Sequence, residues 1–168
     1  RLQISNHYYR NYRLEKVFKM EETIMKNIEL VNKYLANLSV WNVKLHNLHF
    51  NVVGPQFKSI HEYLESVYDE AFEYYDAVAE AVKMRGQFPV VNVSEYLKIS
   101  NIEELGAESI RQEKAVEILL SDIKLMRDIA VELRAGADEE GDFGFVSLLE
   151  DQIAYYVKQI WFIESMLA

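Results

Sequence analysis

Apolar residues recur every three or four positions along four long segments of this chain. That period limits its fold more than any other feature. In the first segment Ile24, Ile28, Val31, Leu35, Leu38, Trp41 or Asn42, Leu45 and His49 form one stripe. In the third, Ile110, Ala115, Ile118, Leu119, Ile123, Met126, Ile129 and Leu133 do the same. Such stripes belong to helices with one face to bury. Helices are expected over 21–51, from 57–59 to 85, over 109–134 and over 143–167. Val52-Val53-Gly54-Pro55 should stop the first, because Pro cannot continue a helix and Gly supplies the turn. Ser59, with Glu62 three residues on, is the expected cap of the second. Gly86 to Pro89 ends that helix, and Ala135 to Gly141 breaks the third. Residues 87–106 form a long connection with a short helix expected at 94–98. No stretch alternates with period two, so no strand is expected.

Four long helices with a long crossover between the second and third match the ferritin-like form of the four-helix bundle, an all-α fold. The 168 residues, half of them hydrophobic, suit one domain with one core. The expected bundle spans 21–168 behind an arm of residues 1–20. A bundle carries no chemistry by itself. The absence of cysteine excludes disulfides, zinc–thiolate sites and iron–sulfur clusters. No apolar run approaches the ~20 residues of a membrane span. No secretory signal is visible either. The expected location is the cytoplasm, with nucleoid association if DNA is bound. The chain begins at Arg1 rather than Met, so further residues are expected upstream.

Charge is unevenly spread. The net charge is −9, yet residues 1–20 hold Arg1, Arg10, Arg13, Lys16 and Lys19 against Glu15 alone. That arm carries +4 and the remainder −13. Leu14, Val17 and Phe18 cluster opposite Arg13, Lys16 and Lys19, the pattern of a short surface helix. Basic groups interleaved with Tyr8, Tyr9 and Tyr12 suit phosphate contact as well as they suit a helix lying on the body. Arg10, Arg13, Lys16 and Lys19 are the candidate DNA contacts.

The densest chemistry lies between His46 and Glu80. With His61 at zero on a helical wheel, Glu65 falls at about 40°, Asp76 at about 60° and Glu80 at about 100°. Three carboxylates and an imidazole thus share one stripe with Tyr68 and Phe72. Acids set among aromatic rings are costly unless something pairs with them. Iron or manganese accepts this mixture of imidazole and carboxylate.

The spacing Leu45-His46-Asn47-Leu48-His49-Phe50, then Gly54, Phe57, His61-Glu62 and Asp76-x-x-x-Glu80, resembles the Dps mini-ferritins, the DNA-binding proteins from starved cells. Trp161-Phe162-Ile163-Glu164-Ser165 is also Dps-like. The resemblance covers about residues 30 to 168. It implies a homo-oligomeric shell of twelve subunits with a ferroxidase site across a two-fold interface. His49 and His61 would come from one subunit, and Asp76 and Glu80 from its neighbour, with Glu65 a further ligand at a place where the family usually has Asp. Iron(II) bound there is oxidised, typically by hydrogen peroxide, and ferric mineral is stored in the cavity. The family's acidic pores imply a similar role for Asp138, Glu139, Glu140 and Asp142, although Phe143 and Ser147 stand where acids often occur. Phe50 replaces the usual Trp, Val53 a common Arg, and Glu65 the usual Asp. His46 reads as a packed residue, Trp161 as packing, and Tyr74, Tyr75, Tyr155 and Tyr156 as core or interface aromatics. Two classes of function follow: an iron-oxidising store that protects DNA, or a mainly structural DNA-compacting particle with an altered ferroxidase site.

Overall fold

The structure, a computed structural model, describes residues 28–168. The arm, with Arg10, Arg13, Lys16 and Lys19, lies outside the described residues, as do residues 21–27 of the expected first helix. Helix α1 is described over 28–51. It is followed by α2 (Phe57–Met84), the short α3 (Val93–Ile99), α4 (Gln112–Glu139) and α5 (Phe143–Leu167). The protein is all-α, a four-helix bundle with a short helix in the crossover, as the sequence leads one to expect.

The stripes read from the sequence face the core. Val31, Leu35, Leu38, Trp41, Leu45 and His49 of α1 are buried, as are Ala115, Leu119, Ile123, Met126, Ile129 and Leu133 of α4. Each fully buried Leu, Ile or Met contributes roughly 1.5–3 kcal/mol relative to exposure. Cross-links show which helices neighbour one another. Asn42 Nδ2 of α1 donates to the Tyr68 carbonyl of α2. Lys124 and Arg134 of α4 pair with Glu164 and Glu150 of α5, so those two helices run antiparallel. At the centre the Tyr34 hydroxyl donates to Gln152 Oε1 at 2.8 Å and lies 2.7 Å from the Tyr156 hydroxyl. Burial pushes both phenols well above their ordinary range, so this network stays neutral.

Four local expectations are corrected. The second helix begins at Phe57, and its N-cap is Gln56, with no side-chain cap. Ser59 instead donates back to the Gln56 carbonyl from inside the first turn. The third long helix begins at Gln112 and runs through Gly136 to Glu139. Its last turn is anchored by buried Ala137 and by Arg134 reaching Asp138 at 2.9 Å. The chain breaks only at Gly141, whose φ of 71° suits glycine. A minimal parallel pairing joins β1 (Val52–Val53) to β2 (Ile110–Arg111), too short to show a period. Trp161 is not packed in the core; it is 63% exposed beside Phe162.

The crossover is tied to α1 by asparagines. Asn32 Oδ1 accepts from the Val90 N–H, Asn37 bonds Ser100 and Asn101, and Asn47 Nδ2 donates to the carbonyls of Leu105 and Gly106. Between α1 and α4, Lys44 Nζ lies 2.8 Å from Asp122 Oδ2, with both side chains buried. Burial pushes the Asp122 carboxyl up, and the Lys44 ammonium and Trp41 indole pull it back only in part. Removing one member of such a pair strands a charge. Asp122→Ala is therefore expected to lower stability by about 3–5 kcal/mol, with the double replacement Lys44→Met/Asp122→Leu costing far less. Denaturant unfolding followed by helical circular dichroism measures both. A loss below about 1 kcal/mol for the single variant, the range of surface pairs, contradicts this role.

Candidate metal centre

A tight corner sets the site. Gly54 adopts φ 148°, and a Cβ there would collide with the Gln112 side chain. Gln112 Oε1 fills that space to accept from the Gln56 N–H at 2.7 Å. The corner returns the chain so that the last turn of α1 faces the second turn of α2. His49 and His61 then stack, with ring centroids 3.6 Å apart and planes 20° from parallel.

Their hydrogen bonds are reciprocal. His49 Nδ1 lies 2.8 Å from the His61 carbonyl, and His61 Nδ1 lies 2.8 Å from the His49 carbonyl. A carbonyl only accepts, so each Nδ1 carries the proton. In the neutral ring this fixes the tautomer that keeps the lone pair on Nε2, the form that binds metal. Glu65, one turn beyond His61, completes a group of three whose donor atoms lie within 4.8 Å of one another. His49 is buried, His61 half-buried and Glu65 exposed. Phe50 meets His49 edge-on at 5.3 Å, and Phe57 stands 5.1 Å from His61. Two imidazoles and a carboxylate suit iron, zinc or cobalt.

His46 stands apart from this group. Its Nδ1 lies 2.8 Å from the Asn42 carbonyl, and its ring stacks on Tyr68 at 3.9 Å. Asp76 and Glu80 are on α2 with His61, both exposed. They follow it by 15 and 19 positions. At 1.5 Å per residue they are about 22 and 28 Å away. One chain therefore brings together His49, His61 and Glu65 and leaves Asp76 and Glu80 elsewhere. The stripe they share is not covered within one chain, since Phe72 is also 59% exposed.

At the α4–α5 turn, Asp138 pairs with Arg134, while Glu139 and Glu140 are exposed. Asp142 is held differently. It caps α5 by accepting from the Phe145 N–H, and it pairs with Arg85 at 2.6 Å. Burial raises its carboxyl, but Arg85 and the Phe145 N–H outweigh that and hold it below the ordinary range. Nothing in the linear sequence marks Arg85 as its partner, 57 positions away. The reciprocal histidine–carbonyl bonds are equally invisible there, although the 12-residue spacing of His49 and His61 across a Gly-Pro corner hints at them.

The family model for ferritin, a ferritin-like domain, matches residues 28–168. A DNA protection during starvation protein of Helicobacter pylori is 32% identical over 144 residues, covering 86% of this chain and all of the relative. The chain belongs to the Dps family of ferritin-like proteins. Solved structures, a Dps protein among them, share its fold. Antigen TpF1 from Treponema pallidum superposes with a TM-score of 0.85 at 28% identity, covering 87% of this chain and 94% of that one. A Dps protein from Bacillus brevis gives 0.81 at 29% identity, covering 89% and 97%. Among the described residues no helix is long and apolar enough to cross a membrane.

With these three residues as the Dps chain's own ligands, His61→Ala should weaken anaerobic iron(II) binding by at least about 100-fold, beyond the roughly 10–100-fold that loss of a supporting partner costs. His46→Ala should leave it within about twofold, because that ring is engaged with Tyr68 and the Asn42 carbonyl. Titration calorimetry measures both. Equal losses would show that the ligands are misassigned.

Proposed function

We propose that this Dps-family chain assembles into a shell, expected to be dodecameric, that binds iron(II) between subunits, oxidises it and stores the ferric product. The observation that carries this reading is the locked His49–His61 pair with Glu65 beside it. The helix positions supply a second argument. His61 with Glu80, and Glu65 with Asp76, are symmetric about the point between Glu70 and Ala71. In a two-fold contact, if residue i meets j then j meets i. Two antiparallel α2 helices crossing at that point bring the partner subunit's Glu80 and Asp76 to this chain's His61 and Glu65. Val43 and Phe50 on α1 and Phe72 on α2, each more than half exposed, give the same face an apolar surface to cover.

Iron and peroxide are the substrates in this reading. Two iron(II) ions, each giving one electron, reduce one hydrogen peroxide with two protons to two waters, so no hydroxyl radical is released. The residues act as ligands and spacers, and the acids of the shell attract the cation. Asp138, Glu139 and Glu140 at the α4–α5 turn are proposed to line the iron entry, with Asp142 held to Arg85 as a structural cap. The relatives' name supports a role in DNA protection, and a cytoplasmic location is proposed with it. The +4 arm, with Arg10, Arg13, Lys16 and Lys19, is its proposed DNA contact. The second reading, a DNA-compacting particle with an altered site, draws on Glu65 and Phe50 in place of the family's usual Asp and Trp.

Complementation tests the shared site. A His49→Ala/His61→Ala chain and an Asp76→Ala/Glu80→Ala chain should each be inactive alone. Refolded together at equal amounts, they should recover about a quarter of wild-type iron oxidation, since half the two-fold pairs are mixed and each holds one intact site. No recovery in mixed shells of normal size refutes sharing.

DNA binding, if present, is expected to reside in the arm. Deleting residues 1–20 should abolish gel retardation of DNA while leaving shell size and iron oxidation unchanged, because the remaining body carries −13. Retardation by the truncated shell at moderate salt, without added divalent cations, places the contact elsewhere.

A further inference from the structure

We infer that the tyrosines packed between α1, α2 and α5 are a one-electron reserve, with Tyr74 the residue oxidised when peroxide meets a centre holding too little iron. The inference rests on the iron-oxidising reading above. It adds a second electron donor, built from side chains that the metal centre does not use.

Geometry carries it. Tyr34 and Tyr156 are fully buried, and Tyr74 and Tyr155 half-buried. Tyr74 meets Tyr155 edge-on at 5.6 Å and Tyr156 at 5.8 Å, and those two rings are 6.0 Å apart. Trp41 meets Tyr156 at 6.4 Å, and the Tyr34 hydroxyl is 2.7 Å from that of Tyr156. Five oxidisable rings thus form one continuous cluster. Phenylalanine would fill such a core without hydroxyls that must each find a partner. Trp41 is the end of the cluster that shares α1 with His49. It precedes that residue by eight positions, about 12 Å along the helix.

The hydroxyl surroundings single out Tyr74. A phenol that loses an electron becomes strongly acidic and must pass on its proton. Tyr156 donates to Tyr34, and Tyr34 donates to Gln152 Oε1, which is no base. Tyr74 has Glu70 one turn before it on α2. Burial, and then the Glu70 carboxylate bonded to its hydroxyl, push this phenol well above its ordinary range, so it enters the reaction protonated with an acceptor in place. The rings against the ligand pair are Phe50, Phe57 and Tyr68. Two of these carry no hydroxyl, and Tyr68 stacks on His46 rather than on the cluster.

The step balances. With a single iron(II) at the centre, hydrogen peroxide takes one electron from iron and one from Tyr74. Its O–O bond breaks, two protons are taken up from water, and two waters leave. Iron(II) becomes iron(III). The Tyr74 O–H bond breaks to leave a neutral tyrosyl radical, and its proton passes to Glu70. No hydroxyl radical escapes.

Full-length shells are given fewer iron(II) ions than sites, mixed with excess hydrogen peroxide and freeze-quenched. Electron paramagnetic resonance should show a tyrosyl radical, verified with ring-deuterated tyrosine. Tyr74→Phe and Glu70→Gln should each lose most of that signal and release more hydroxyl radical to a spin trap. With iron in excess both should oxidise it at the wild-type rate. Tyr68→Phe should keep the signal. Shell size and thermal unfolding confirm that each variant is folded, and Phe keeps the ring that packs. A signal of wild-type yield in Tyr74→Phe or Glu70→Gln, or one abolished by Tyr68→Phe, overturns the proposal. If wild type oxidises iron with peroxide and shows no tyrosyl radical, the reserve is wrong and the iron-oxidising reading stands. If wild type does not oxidise iron, both fall.

Discussion

The site depends on the corner between α1 and α2. Five residues separate those helices, and the corner works because Gly54 has no side chain where Gln112 must sit. Gln112 opens α4, so the turn is braced from across the bundle by the same element that pairs through β2 with β1. Once the corner is set, His49 and His61 can only meet face to face. Each then occupies the other's backbone carbonyl. Two imidazoles stacked without such bonds would be free to choose their tautomers. Here the fold makes that choice, and both leave Nε2 available.

Much of this was legible in the residues. The 3.6-residue period placed four long helices, because a stripe such as Val31–Leu35–Leu38 can be buried in only one way. The end of α2 was legible from Gly86 and Pro89, and the short crossover helix from residues 94–98. The histidine spacing pointed to His49 and His61, which the structure brings together. What escaped was set by tertiary contact. Ser59 looked like a cap, but the Gly54 corner starts α2 before it. Gly136 looked like a break, but buried Ala137 and the Arg134–Asp138 pair hold the helix through it. The two-residue pairing of Val52–Val53 with Ile110–Arg111 is shorter than any period can reveal.

Polar groups that a pattern would place at the surface do structural work inside. Asn37 is fully buried because the crossover needs its amide at Ser100 and Asn101. Lys44 and Asp122 are buried because each neutralises the other between α1 and α4. These ties fix α1 along its length and so fix the height of His49 over α2. By contrast, the α2 carboxylates and the apolar Val43, Phe50 and Phe72 remain uncovered in one chain. A helix face that is acidic, aromatic and open at once is poorly explained as a solvated surface. It is well explained as one half of a two-fold contact, and the symmetric spacing of His61–Glu65 and Asp76–Glu80 favours that account.

The central claim is that iron is held jointly, by the histidines of one chain and the acids of another. A crystal of the assembled protein, soaked anaerobically with iron(II) and measured at the iron absorption edge, tests it most directly. The account predicts an anomalous peak at each two-fold interface, within bonding distance of His49 or His61 and of the partner subunit's Asp76 or Glu80. Iron found only at the α4–α5 turn, or histidines facing solvent in the assembled shell with Asp76 and Glu80 remote from them, would contradict it.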